Sequence, residues 1–170
     1  MDLFLSPPDI AFRDEVRQFL AEHLKPETRR AVSLTTGFIN DPDIAIDFHR
    51  ALHRKGWSMP HWPAEHGGTG WTLVQRYLFE AECARAGAPT HNGAGAHMVG
   101  PVIMHYGTPE QKRKYLTGLA TGDLRASIST TEPQSGSDVA GIKSRARKVP
   151  GGYQLNGSKI WCTNAGVADF

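Results

Sequence analysis

The chain has 170 residues, of which 39% are hydrophobic, 21% charged and 9% aromatic. Chains of this length bury roughly 70% of the surface their unfolded form exposes, so a real core is expected and disorder is not. No apolar stretch approaches the roughly 18 residues of a membrane span. Nineteen basic and seventeen acidic residues leave a formal charge of +2, which points to neither a nucleic-acid groove nor a polybasic membrane patch.

Eighteen glycines and eleven prolines exceed ordinary usage and announce loops and close backbone approaches. Cys83 and Cys162 lie far apart in sequence. They can pair, but two cysteines do not make the framework of a small secreted domain. The start, Met1 to Pro8, has neither a basic lead nor an apolar signal core, so a reducing cytoplasm is the expected location.

The first two-thirds read as helices. Phe12, Val16, Phe19, Leu20 and Leu24 repeat at helical spacing and form one apolar stripe. Asp41-Pro42 opens a second helix that should run to Lys55 and stop at Gly56. Thr72-Leu73-Val74-Gln75 is a capping box, and the helix it starts should end before Gly87. A fourth helix, weakened by Gly95 and Gly100, covers about His91 to His105. Thr108-Pro109-Glu110-Gln111 is a second capping box, whose helix should end near Gly118.

From about Asp123 the pattern changes. Arg125 to Thr131 and Ile142 to Val149 read as strands, the second alternating small or apolar residues with Lys143, Arg145 and Arg147. Pro150-Gly151-Gly152 turns the chain into a returning strand, within which Asn156-Gly157 signals a turn or bulge. The expected architecture is α+β: an all-α domain over residues 1–122, then the first strands of an antiparallel β domain over residues 123–170. With three or four strands laid down, that sheet reads as cut off before completion.

Two segments carry candidate chemistry. In Ser129-Thr130-Thr131-Glu132-Pro133-Gln134-Ser135-Gly136-Ser137-Asp138 a strand ends in hydroxyls and runs into a glycine-containing loop, where N–H and O–H groups can hold a polar ring edge or a phosphate. On its own such a loop is also ordinary turn chemistry. In Ile160-Trp161-Cys162-Thr163-Asn164 an indole beside a hydroxyl can cover a planar heterocycle and bond its edge, or simply be a core tryptophan with a strand threonine.

Taken together, Thr131-Glu132-Pro133, Gly136-Ser137-Asp138, Gly152-Tyr153 and Asn156 to Asn164 resemble the middle-domain signature of the acyl-CoA dehydrogenase family. The helical part resembles that family too, in Gly56-Trp57 with Trp62-Pro63-Ala64-Glu65-His66-Gly67-Gly68, in Gly107 to Lys112, and in Gly118-Leu119-Ala120-Thr121-Gly122-Asp123. The resemblance implies an FAD-dependent oxidoreductase of fatty acid and lipid breakdown. Such enzymes put a double bond between C2 and C3 of an acyl-CoA thioester: a glutamate removes the C2 proton while hydride moves from C3 to flavin N5. It further implies an electron-transfer flavoprotein as acceptor and a homo- or hetero-oligomer.

Carried over by position, the resemblance assigns cofactor contacts to Ser129, Thr130, Thr131, Gly136, Ser137, Trp161, Cys162 and Thr163. Ser129 to Thr131 match the contacts to the pyrimidine side of the isoalloxazine, and Thr163 matches the hydroxyl near N5. Trp161 matches the residue lying against the ring. Gly136 and Ser137 match the loop that meets the FAD pyrophosphate and the acyl-CoA, which makes Ser137 a substrate contact as well. The family's base is a glutamate in a C-terminal helical domain, and no residue here matches it. Glu132 lies near the proposed flavin edge, but its counterpart is not the base. Without one, the 170-residue chain is expected to be inactive, since general-base catalysis contributes roughly 10²–10⁴-fold.

Eight histidines prompt a metal test. His49 and His53 stand one helical turn apart, but Arg50 between them opposes a cation and no Glu-x-x-His completes a zinc pattern, so a solvated helix face is expected. His61, His66, His91, His97 and His105 read as scattered polar tips or caps. Trp57, Trp62 and Trp71 read as a buried loop between helices rather than a peptide-binding patch. No Gly-x-Gly-x-x-Gly follows a strand and no Gly-x-Ser-x-Gly elbow occurs, which argues against a Rossmann site and a serine hydrolase. Two other readings stay open: a non-catalytic binding or assembly module, and a family relative performing flavin-dependent hydroxylation or nitroalkane oxidation.

Overall fold

The computed structural model describes residues 4–35, 42–89 and 93–170. Asp41 and His91, placed at two helix starts by sequence, lie outside the described residues. Helix α1 (Pro7–His23) begins at Ser6, whose side chain accepts from Asp9 N–H, and Pro7 fits the first turn because its missing N–H is not needed there. Helix α2 (Pro26–Ser33), absent from the sequence reading, follows after two residues, and Pro26 again opens it. Helix α3 runs Pro42–Lys55. Among the described residues no helix is long and apolar enough to cross a membrane.

Helix α4 (Leu73–Ala86) has both halves of its capping box. Thr72 Oγ1 accepts from Gln75 N–H at 3.2 Å and Gln75 Oε1 accepts from Thr72 N–H at 3.0 Å. Gly87 ends it in the left-handed region at φ 70°, where a side chain would be strained. The next rod starts with a π-helical segment, Ala94–Val99, and continues as α5 (Gly100–Tyr106). The last rod combines α6 (Pro109–Gln111), a π-helical segment Lys112–Leu116 and α7 (Thr117–Thr121). It passes through Gly118 and stops at Gly122. Gly118 is a packing glycine, since a Cβ there would sit 2.4 Å from Leu124 Cδ1.

Two apolar clusters hold the helices together. The first joins α1, α3 and α4 through Phe12, Val16, Phe19, Phe48, Leu52 and Phe79, with Trp57 buried among the rings. At its edge Glu82 of α4 accepts from Arg17 of α1 at 2.9 and 3.1 Å. Arg85 completes that buried carboxylate's shell at 2.6 Å. The second cluster joins Met59 and Trp62 to Ala96, Leu116, Leu119 and Ala126, and so reaches from the helices into the following segment.

That following segment departs most from the sequence reading. Arg125 to Thr131 is extended but forms no continuous ladder. It makes single backbone bonds to the end of the chain: Asp169 N–H to Arg125 O at 2.8 Å, Ser127 N–H to Phe170 O at 2.9 Å and Ile160 N–H to Thr131 O at 3.0 Å. One two-stranded antiparallel sheet is present among the described residues, β1 (Arg145–Val149) with β2 (Gly152–Asn156). Val149 pairs with Gly152, so Pro150-Gly151 is a two-residue turn with Gly151 at φ 82°. The strand expected from Ile142 starts three residues later, at Arg145. Gly157 lies just past β2, not within it, and is required there because a Cβ would fall 2.0 Å from Ser144 Oγ.

Candidate functional site

A cavity of about 610 Å³ lies between the helices and the chain's last segments. Its helical walls come from Ile46 and His49 of α3, Phe79, Glu80 and Cys83 of α4, and the π-helical segment with Ala96 and His97. Met59 and Trp62 close it from the loop after α3, Leu119 from α7, and Thr163, Asn164 and Val167 from the terminal segment.

The terminal wall is shaped by unusual backbone. Trp161 at φ 57° and Asn164 at φ 68° both occupy the left-handed region, in which a tryptophan is a genuine outlier. Local bonds hold this bend. Ser127 Oγ–H donates to Thr163 O at 2.6 Å and stands 3.0 Å from Cys162 Sγ. Asn164 Nδ2–H reaches Ala126 O at 3.4 Å. Hydrogen bonding from Ser127, then Ser129, holds the Cys162 thiol below its ordinary pKa.

Glu132 is the organiser of the neighbouring loop. Its buried carboxylate accepts from Lys143 N–H at 2.8 Å, Ser144 N–H at 2.9 Å, Lys159 Nζ at 2.8 Å and Gln134 Nε2 at 2.6 Å. Lys159, first among these donors, and the two amides hold it far below the usual carboxylate range. A carboxylate so fully engaged has no lone pair to take a proton from carbon, and its role is to tie the 132–144 loop to the 159 segment.

Of the residues expected to meet a cofactor, Thr163 lines the cavity. Ser129, Thr130, Gly136, Ser137 and Trp161 lie outside it on exposed surface, while Thr131 and Cys162 are half-buried. Thr131 and Trp161 are therefore close in the backbone, through the Ile160 to Thr131 bond, but they do not share the hollow with Thr163. The donor set on this side nevertheless fits a flavin: uncharged hydroxyls on an extended ledge, beside an indole that is 84% exposed.

The histidine expectations need correction. His49 does not face solvent. It is buried, with Nε2 3.0 Å from Ala120 O, and burial lowers its pKa. His53 Nδ1 stands 3.4 Å from Ser58 Oγ. His61 and His97 are not scattered: their rings lie 4.9 Å apart, and His61 Nε2 is 2.7 Å from Glu80 Oε1. Nothing in their spacing along the chain predicts this meeting. Among the described residues no group of three or more His, Cys, Asp or Glu could hold a metal ion. Both cysteines are free.

Comparison with known proteins identifies the family. The acyl-CoA dehydrogenase N-terminal domain matches residues 6–123 and the acyl-CoA dehydrogenase middle domain matches residues 127–170. The acyl-CoA dehydrogenase FadE26 of Mycobacterium tuberculosis is 35% identical over 170 residues, spanning 100% of this chain and 42% of that protein. The ChsE4-ChsE5 complex from Mycobacterium tuberculosis superposes with a TM-score of 0.81 at 34% identity, over 99% of this chain and 42% of the neighbour. The FAD complex of PigA superposes with a TM-score of 0.71 at 25% identity, over 99% and 43% respectively. With both family domains matched over nearly the whole chain, the chain belongs to the acyl-CoA dehydrogenase family, of whose curated relative FadE26 it spans less than half the length.

Proposed function

We propose that this chain is the helical part (residues 1–122) and the opening of the β part (residues 123–170) of an FAD-dependent acyl-CoA dehydrogenase acting between C2 and C3 of a thioester. The observation that carries this is Thr163, set on the wall of a half-open, largely apolar cavity by a strained bend next to a ledge of hydroxyls. The chemistry a bound flavin supplies there is acceptance of the hydride equivalent that leaves C3.

The chain's own residues do the holding. The hydroxyls and backbone of Ser129, Thr130 and Thr131 present donors and acceptors to the pyrimidine edge of the ring. Thr163 donates near N5, Trp161 covers a ring face, and Cys162 packs behind them. Gly136 leaves the loop open, with nothing within 4 Å of a Cβ position, for phosphate approach beside Ser137, which also meets the acyl-CoA. Apolar walls from Met59, Phe79 and Leu119 exclude water from the acyl group.

The proton-abstracting glutamate is not Glu132, whose lone pairs are spent on Lys143, Ser144, Lys159 and Gln134. The base belongs to polypeptide beyond these residues, and the chain alone is inactive. Exposed Tyr153, Leu155 and Trp161 at 68%, 80% and 84% suit coverage by such polypeptide in a homo- or hetero-oligomer. Two free, half-buried thiols suit a reducing compartment, the cytoplasm, where an electron-transfer flavoprotein would take the electrons.

Mixing the chain with excess FAD and a polypeptide supplying the rest of a FadE26-length protein should give a yellow complex that an acyl-CoA bleaches. A complex that forms yet stays colourless, or a yellow one inert to acyl-CoAs of every chain length, rejects the reading.

A further inference from the structure

Most of the cavity wall suits a hydrocarbon. Met59 and Leu119 are fully buried, Phe79 is 2% exposed, and burial pushes the Cys83 thiol up to about 12, leaving it a neutral, inert surface. One side does not fit that description. There three titratable side chains from three separate elements converge: His61 from the loop after α3, Glu80 from α4 and His97 from the π-helical segment. Desolvating such groups against a plain alkyl chain costs free energy unless something pairs with them.

Their arrangement is specific. His61 Nε2 lies 2.7 Å from Glu80 Oε1, a close contact that holds the His61 ring against α4. The ring of His97 leans on the ring of His61 at 4.9 Å and 54°. Among the described residues neither ring nitrogen of His97 has a hydrogen-bond partner; the residue is exposed overall, and partial desolvation with His61 alongside outweighs Glu80 and favours its neutral form. A neutral imidazole offers one N–H donor and one acceptor.

The backbone under His97 is also built for position. A π-helical turn departs from regular helix bonding and recurs at functional sites. Here Trp62 Nε1–H donates to Ala96 O at 2.7 Å, immediately before His97. Gly100 lets the same indole lie against the helix, since a Cβ there would meet Trp62 Cζ2 at 2.6 Å. A buried tryptophan thus buttresses the segment that carries the unpaired imidazole.

We propose that the acyl group taken by this cavity bears a neutral oxygen, a hydroxyl or carbonyl, away from the thioester, and that His97, braced by the Glu80-anchored His61, hydrogen-bonds it. This rests on reading the cavity as the acyl site and adds the class of acyl group to it.

The test uses the 170-residue chain and matched thioesters: hexanoyl-, octanoyl-, decanoyl- and dodecanoyl-CoA, each with and without an ω-hydroxyl. Affinity is read by calorimetry and contact by the histidine Cε1–Hε1 NMR signals. At one or more lengths the hydroxyl should strengthen binding about tenfold, equal to about 1.4 kcal/mol, and shift the His97 and His61 signals where the plain partner does not. His97→Leu should remove that advantage while keeping the plain thioester's affinity and the far-ultraviolet spectrum. His61→Gln, a second route if the first variant unfolds, should weaken the preference. A hydroxyl that is neutral or harmful at every length, or whose benefit survives His97→Leu, overturns the proposal and leaves the acyl-site reading standing. If no thioester binds at any length, both fall together.

Discussion

Replacing Leu52 and Leu119 by alanine, one at a time, separates the energetics of a closed core from those of a cavity wall. Both side chains have 0% exposed surface, and Leu→Ala deletes the same atoms from each. The transfer contribution is therefore shared, about 2–2.5 kcal/mol at roughly 0.8 kcal/mol per methylene. The second contribution differs. Leu52 belongs to the same buried cluster as Phe12, Phe19, Phe48 and Trp57, stiff rings that cannot collapse into a gap. A residual void on the order of 80–100 Å³ at ~24 cal/mol per Å³ adds about 2 kcal/mol. Leu119 packs on Met59 and Trp62 but borders the 610 Å³ cavity, so its truncation extends an existing space. Leu52→Ala should then cost about 4–5 kcal/mol and Leu119→Ala about 2–3 kcal/mol. Urea unfolding of the wild-type chain and both variants, followed by far-ultraviolet circular dichroism and analysed at equal m, gives the two losses. Losses equal within about 0.5 kcal/mol, or a larger one for Leu119, would refute the assignment of Leu119 to a cavity wall.

Three further outcomes can be checked on the same chain. His49 has a pKa lowered by burial, so the unfolded state binds its proton more readily; the stability this imidazole contributes is full above its unfolded pKa of about 6.5 and is lost as pH falls below it. Midpoints measured between pH 7.5 and 5.5, above the window in which the depressed carboxylates titrate, should fall for the wild type and fall less in His49→Gln; identical slopes would contradict the burial argument. Glu132→Ala should abolish slow hydrogen exchange at the amides of Lys143 and Ser144, which it accepts from, while α1 and α4 keep theirs; unchanged protection at those two amides would remove Glu132 as the loop's organiser. In a thiol-labelling time course Cys162, with its pKa lowered by Ser127, should react before Cys83, whose pKa burial raises to about 12, and the opposite order would count against both environments.

Much of the helical part is legible in sequence because its signals are local. Thr72 and Thr108 cap as their spacing to Gln75 and Gln111 requires, and Gly87 terminates where the chain must turn left-handed. Where a glycine serves packing instead, the same signal misleads. Gly118 reads as a stop but is a seat for Leu124, and Gly100 reads as weak helix but makes room for Trp62. Residues 125–131 carry strand-like composition, yet single bonds to 160, 169 and 170 replace a ladder, and composition does not encode a partner's register. The site shows the same division. Thr163, singled out by its segment, lines the cavity, whereas His61, Glu80 and His97 come together only through the packing of three elements.

The exposed indole of Trp161 has a practical corollary. Trp57 and Trp62 are buried at 7% and 3%, and Trp71 is packed against the first cluster. Acrylamide should therefore quench chiefly the red edge of the emission, which belongs to Trp161. Whatever settles over that residue announces itself as a blue shift and loss of quenching, so the molecule carries an intrinsic optical gauge of its own coverage without any added dye.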